Sequence, residues 1–134
     1  MKWFSIKKPL TIADVEGVER DLSVCLPADY KERIGPINGG ALKNAAVVVP
    51  NLGEVPYSRN VSLSKDSPAS IYALLPAING EKIRLFPFAA VGNGDYFCFD
   101  LVNDMVVLQL HEANRVIPVC RSFSELMGLI DSYR

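Results

Sequence analysis

Between Gly94 and Glu112 apolar and polar positions alternate with the two-residue period of a strand. Phe97, Phe99 and Leu101 share one parity; Tyr96, Cys98 and Asp100 share the other. Asn103-Asp104 supplies two residues that tolerate a left-handed backbone, and Met105 to Leu110 resumes the alternation. A two-residue turn there sets Leu101 against Val106, Phe99 against Leu108 and Phe97 against Leu110 on one apolar face. The second face pairs Asp100 with Val107, Cys98 with Gln109 and Tyr96 with His111. Asp95 meets Glu112 at the open end. A slip of one residue would mix the faces and bury polar groups. The pattern predicts a hairpin at the centre of an antiparallel sheet with one covered face.

The flanking segments follow other periods. Ile12, Val15, Val18 and Leu22 recur at helical spacing over Thr11 to Leu22, with Thr11 and Asp14 placed as a capping pair. Leu26 to Ile34 predicts a shorter helix with Pro27 in its first turn and Tyr30 and Ile34 turned inward. Gly35 and Pro36 stop it, and Asn38-Gly39-Gly40 predicts a tight loop. Ala45 to Val49 is a short strand ending at Pro50. Residues 51 to 70 are rich in Pro, Gly and Ser and predict a long surface loop. Ile71 to Leu75 suits a strand or a short helix, with strand preferred. Ile83 to Ala89 and Arg115 to Cys120 are further strands. Pro87 and Pro118 place each at an edge or a bulge. Ser122 and Glu125 form a capping box for a last helix bearing Phe123, Leu126, Met127 and Ile130.

The order of elements predicts a single α+β domain over residues 1 to 134. Its antiparallel sheet of about four to six strands carries the N-terminal and C-terminal helices on one face. A net charge of −1, from 14 basic and 15 acidic residues, offers no bulk attraction to nucleic acid or an anionic membrane. Lys7-Lys8 is the only adjacent basic pair. Phe97 and Phe99 lack interleaved basic residues, so they read as core, not as base-stacking groups. Cys25, Cys98 and Cys120 form no CxxC, which predicts reduced, buried thiols in a cytoplasmic protein. No signal peptide and no transmembrane stretch are expected.

Three blocks of residues are familiar in this order. Leu26-Pro27, Asp29-Tyr30-Lys31 and Asn38-Gly39-Gly40 make the first. Pro87-Phe88-Ala89 with Gly94-Asp95-Tyr96-Phe97-Cys98 makes the second, and Ser122-Phe123 with Glu125-Leu126 the third. Over about residues 12 to 130 the chain resembles the SUKH superfamily, known also through the yeast cell-wall-synthesis regulator domain. The match fades over positions 41 to 80. The resemblance implies a small cytoplasmic α+β domain. It also implies an immunity protein that binds and neutralises a cognate toxin delivered by a neighbouring bacterium, or else a regulatory or scaffold domain of cell-wall or signalling assemblies. It brings no catalytic residues. Leu26, Pro27 and Tyr30 would pack the second helix, Gly39 and Gly40 would permit the turn, and Phe123 and Leu126 would anchor the last helix.

Asp95, Cys98, Asp100, His111 and Glu112 are the one group that invites an enzymatic reading. A Cys-His pair can act as nucleophile and base, and a histidine with two carboxylates can hold a metal. The expected pairing sets Cys98 diagonal to His111, and the chain has a single histidine. The expectation is therefore no catalysis, no metal and no cofactor. The same residues suit a protein contact surface: Tyr96, Asp100, Gln109 and His111 on an outward sheet face, with Asp95 and Glu112 beside them. Asp95, Asp100, Asp104 and Glu112 would form an acidic patch fitted to a basic nuclease toxin. An ordinary solvated sheet face is the competing account. An exposed strand edge would offer a route to a homodimer.

Overall fold

A computed structural model describes residues 1–133 and shows an α+β arrangement of four helices and seven strands in two sheets. Helix α1 (Ile12–Leu22) begins with the reciprocal cap foreseen from Thr11 and Asp14. Val15 and Val18 are buried from its stripe, whereas Ile12 is exposed. Helix α2 (Ala28–Ile34) starts after Pro27 and buries Tyr30 and Ile34 completely. A single 3-10 turn, Gly35–Ile37, follows it. Glu19 joins the two helices: its carboxylate accepts the Leu26 N–H at 2.7 Å and pairs with Lys31 at 3.2 Å.

Strands β1 (Ala46–Val49) and β2 (Gly53–Pro56) form a separate antiparallel pair. Strand β3 (Arg59–Asn60) then joins the edge of the main sheet. Residues 51 to 63 are thus not the surface loop expected, whereas residues 64 to 69 are irregular and largely exposed. Val55, Tyr57, Val61 and Leu63 are buried, at two-residue spacing within each short piece. Proline and glycine here divide strands instead of marking exposed chain: Asn51 and Gly53 take positive φ and close the β1–β2 turn.

Helix α3 (Ile71–Asn79) replaces the strand preferred for Ile71 to Leu75. Ile71 and Leu75, four apart, both enter the core, while Tyr72 and Leu74 flank it. A short apolar run fits both periods, and packing against β4 (Leu85–Ala90) decides between them. Asn79 completes the junction. Its amide nitrogen donates to the carbonyls of Leu75 and Leu85, and its oxygen accepts the N–H groups of Arg84 and Leu85. One side chain thereby satisfies the exposed start of β4 as a neighbouring strand would.

The main sheet runs β3-β4-β5-β6-β7, all antiparallel, with β5 (Tyr96–Asp100), β6 (Met105–Leu110) and β7 (Arg115–Cys120). Both prolines of this sheet lie at bulges, as their missing donors require: the register shifts beside Pro87 and beside Pro118, and β7 is an edge strand. The central hairpin is displaced by two residues from the expected register. Asp100 opposes Met105, Phe99 opposes Val106 and Phe97 opposes Leu108. A four-residue turn, 101 to 104, takes the place of the two-residue turn. A two-residue shift keeps every side chain on its face, so the division into faces holds.

Helix α4 (Phe123–Tyr133) packs on β1 and α2. Its first turn is held by Ser122, whose hydroxyl accepts the Glu125 N–H, and by Asp29 of α2, which accepts the Ser124 N–H at 2.8 Å. Glu125 reaches back to the Arg121 N–H. Between these helices and the sheet lies an aromatic cluster. Phe88 and Phe99 stack with centroids 4.1 Å apart, and Tyr30 sets its edge against Phe99 at 5.0 Å, Phe123 at 5.3 Å, Phe88 at 6.0 Å and Phe86 at 6.4 Å. Phe97 and Phe99 are core, as the charge pattern implied.

The hydroxyl of Tyr30 is buried with no hydrogen-bond partner, whereas that of Tyr57 donates to Asn60 Oδ1 at 2.5 Å. A buried polar group left unmatched costs about 1–3 kcal/mol, while a matched one contributes about 1 kcal/mol. Tyr30→Phe is therefore expected to leave stability unchanged or raise it, and Tyr57→Phe to lower it by about 1–3 kcal/mol, since Asn60 Oδ1 then loses its donor. Tyr30→Ala should cost about 3–5 kcal/mol. Urea unfolding of the three variants measures the contrast.

Candidate functional site

The outer face of the main sheet is read directly from its register. Arg59 lies opposite Ala90, Ala90 opposite Tyr96, Tyr96 opposite Gln109 and Gln109 opposite Val116. Direct partners share a face, so one row crosses all five strands. Tyr96 and Gln109 are half-buried in its middle, while Arg59 and Val116 are exposed at its ends. Neither end residue stood out in the sequence, because only strand pairing brings them beside Tyr96 and Gln109.

The face is not solvated along its whole length. Leu85, Cys98 and Val107 are buried together, with Ile78 of α3, Tyr96 and Met105 packed around them. Cys98 donates to the Tyr96 carbonyl, and burial pushes its thiol well above the ordinary cysteine value. A buried thiol held protonated is a poor nucleophile. Cys120 is buried too, with burial raising its pKa to about 11. Cys25 departs from the expectation of burial: it is exposed, in the turn that follows left-handed Ser23.

Beside the middle of the row, just past the ends of β5 and β6, the structure brings Asp95 and His111 together. Asp95 Oδ1 accepts the His111 backbone N–H at 3.0 Å and lies 2.6 Å from its Nδ1. Gly94 makes this possible. Its φ is +99°, and a side-chain carbon there would meet the imidazole at about 3 Å. Glu112 is exposed, with its carboxylate 4.0 Å from His111 Nε2, so the expected pairing of Asp95 with Glu112 gives way to one of Asp95 with His111. Burial works to raise the Asp95 pKa, but the hydrogen bonds from His111 and Asn93 outweigh it and hold the carboxyl below its ordinary value. Among the described residues no group of three or more His, Cys, Asp or Glu is placed to hold a metal ion.

Asp100 is a correction. It was expected on the outward face, and it is 3% exposed. Its carboxylate accepts the N–H groups of Val102 and Asn103 at 3.0 Å, the Asn103 amide at 3.0 Å and Arg84 at 3.3 Å. These bonds curl the chain at Leu101 and produce the four-residue turn. Asp100 organises the hairpin and has no face free for a partner. Asp104 belongs to the same turn, about 15 Å along the strands from Asp95. The acidic patch therefore contracts to Asp95 and Glu112.

The SMI1-KNR4 cell-wall family of the SUKH superfamily matches residues 12–127. The chain belongs to this family. No curated protein and no solved structure matches it. In this SUKH chain the familiar blocks prove architectural. Tyr30 is the aromatic hub, and Leu26 is buried beside α2. Gly94-Asp95 seats the histidine ring, and Ser122 and Glu125 cap α4. Asn38-Gly39-Gly40 does more than turn the chain, because Asn38 is wholly buried. Its amide donates to the Lys8 carbonyl at 2.9 Å and to Ser64 Oγ at 3.2 Å, and its oxygen accepts the Leu63 N–H at 2.9 Å. Among the described residues no helix is long and apolar enough to cross a membrane.

Asp95 and Asp100 both titrate lower when folded than the unfolded value of about 3.9. Their stabilisation is complete above that value and is lost as pH falls through the folded ones. Urea midpoints at pH 6 and pH 3 should show a loss in the parent chain that is smaller in Asp100→Asn. At pH 6, Asp100→Ala should cost about 2 kcal/mol, because the turn loses charge-assisted bonds.

Proposed function

We propose that this SUKH protein is a non-catalytic immunity protein that binds and neutralises a cognate bacterial toxin. The observation that carries the reading is the outer sheet row Tyr96, Gln109 and Val116, with Asp95, His111 and Glu112 at its rim, on a chain of the SUKH superfamily. A rigid sheet presents an aromatic and an amide beside an exposed valine that is 47% accessible, and little ordering is needed to bind there. Cys98 and Asp100, the two residues that could have added chemistry, are occupied in the fold. What supports a basic partner is narrower than the sequence implied: Glu112, with Asp95 already engaged by His111. The cell-wall description of the family favours a second reading, a regulatory or scaffold module that uses the same face.

Co-expression with the toxin encoded beside it separates the two. The immunity reading expects protection of the cell and a stable complex. Gln109→Arg and Val116→Asp should each weaken that complex by about 30-fold, near 2 kcal/mol, while thermal unfolding is unchanged. A protein that gives neither protection nor a complex with that toxin is not its immunity factor.

A further inference from the structure

The β3 end of the row opens into a cavity of about 490 Å³, a size typical of small-ligand sites, which run roughly 300–1,000 Å³. Its floor is apolar: Ala90 and Tyr96 of the sheet with Leu74 of α3. One wall carries Lys7 and Lys8, the other the serines of residues 62 to 67, and Arg59 stands at the sheet edge. Three cations face one carboxylate, Asp66, in a chain whose net charge is −1. Lys8 also lies near Asp14, whose carboxyl is held low first by the Thr11 hydrogen bonds and last by Lys8. Among the described residues Lys7 and Arg59 form no ion pair with a carboxylate.

The walls are built, not incidental. Asn38 fastens both. Its backbone carbonyl accepts the Lys7 N–H at 2.8 Å, its amide holds the Lys8 carbonyl, and the same side chain holds Leu63 and Ser64 opposite. Gly39 lies against the Lys7 side chain so closely that any larger residue would displace it. On the far wall the hydroxyls of Ser62 and Ser67 meet at 3.0 Å. The lysine pair and the serine wall are thus held across an apolar floor by one buried amide.

We propose that this pocket binds a small molecule that links a phosphate monoester through a sugar to a planar ring, of the nucleoside monophosphate class. Near neutral pH such a phosphate carries close to two negative charges and three acceptor oxygens. Lys7, Lys8, Arg59 and the serine hydroxyls offer the matching donors. The apolar floor and the Tyr96 ring would remain wet under a bare inorganic ion, whereas a planar base covers them. A nucleic-acid polymer fits less well, because these cations continue into no basic track and Asp66 stands among them. The inference does not rest on toxin binding.

The test is titration of the full chain, followed by amide chemical shifts, with AMP, GMP, CMP and UMP, and with adenosine and inorganic phosphate as separate arms. At least one monophosphate should bind saturably and shift the amides of Gly39, Arg59, Tyr96, Ser64, Asp66 and Ser67. Adenosine and phosphate should each bind at least tenfold more weakly. Lys7→Ala and Arg59→Ala, both at exposed side chains, should each reduce affinity at least tenfold without moving Tm. The proposal is overturned if no monophosphate saturates by millimolar concentration, or if phosphate alone binds equally well. Indifference of binding to both substitutions overturns it too, as does an oligonucleotide that binds more tightly than any monophosphate.

Discussion

The edge of Tyr30 against Phe99 and Phe123 is the contact through which the helices and the sheet become one structure. Helix α2 has only seven residues, too few to persist alone in water. What keeps it helical is burial of Tyr30 and Ile34, together with bonds made through its neighbours, Glu19 from α1 and its own Asp29 to α4. A fully buried aromatic contributes about 1.5–3 kcal/mol, and each favourable ring pair adds about 0.5–1.5 kcal/mol. Four edge contacts on one ring therefore make the position of α2 depend on β4, β5 and α4 at once. That dependence also explains why the hydroxyl of Tyr30 finds no partner: the ring is surrounded by carbon on the sides that hold it.

A second constraint governs the stretch between α2 and α3, where apolar periodicity is too short to guide the chain. There the placement comes from amides. Asn38 joins the N-terminal segment to Leu63 and Ser64, and Asn60 accepts from Tyr57 while donating to the Ile37 carbonyl at 3.1 Å. Each is a buried polar residue whose cost is offset only when its bonds are made, which leaves few alternative arrangements of the connecting chain. The cavity walls inherit their spacing from this network. The sheet row that carries Tyr96 and Gln109 inherits its own from the hairpin.

These two regimes separate what could be read in the sequence from what could not. The helices α1, α2 and α4 announced themselves through caps and a 3.6-residue period, and the hairpin faces through a two-residue one. A two-residue turn is what Asn103-Asp104 suggests as a pair of turn formers, but the Asp100 carboxylate accepts the Val102 and Asn103 N–H groups and lengthens the turn to four residues. Parity survived the error, so Phe97 and Phe99 were still assigned to the core. Ile71 to Leu75 was ambiguous in period, and only contact with β4 resolves it. Residues 51 to 70 were obscured by composition: glycine, proline and serine mark breaks between pieces too short to show a pattern. Of the candidate site, Tyr96, Gln109, Asp95 and His111 are legible as neighbours from alternation, but the pairing of Asp95 with His111 in place of Glu112 is not, because it follows from the register that the turn sets. Arg59 and Val116 join them through pairing between strands that no local signal foretells.

Asn38 and Asn79 have one more property in common: each precedes a glycine. Asn-Gly is the dipeptide in which the following backbone nitrogen most readily attacks the side-chain amide, because glycine does not shield it. The product, after ring opening, is aspartate or isoaspartate. In this protein both amides are engaged as donors and acceptors, Asn38 across the two cavity walls and Asn79 along the start of β4. The fold therefore restrains two of its three Asn-Gly amides, at the places where loss of the side-chain nitrogen would do most harm, and leaves the third, Asn93 before Gly94, exposed. Chemical ageing at Asn38 and Asn79 is slowed for as long as the chain is folded and resumes when it opens. The covalent state of two residues thus records how much time the molecule has spent unfolded.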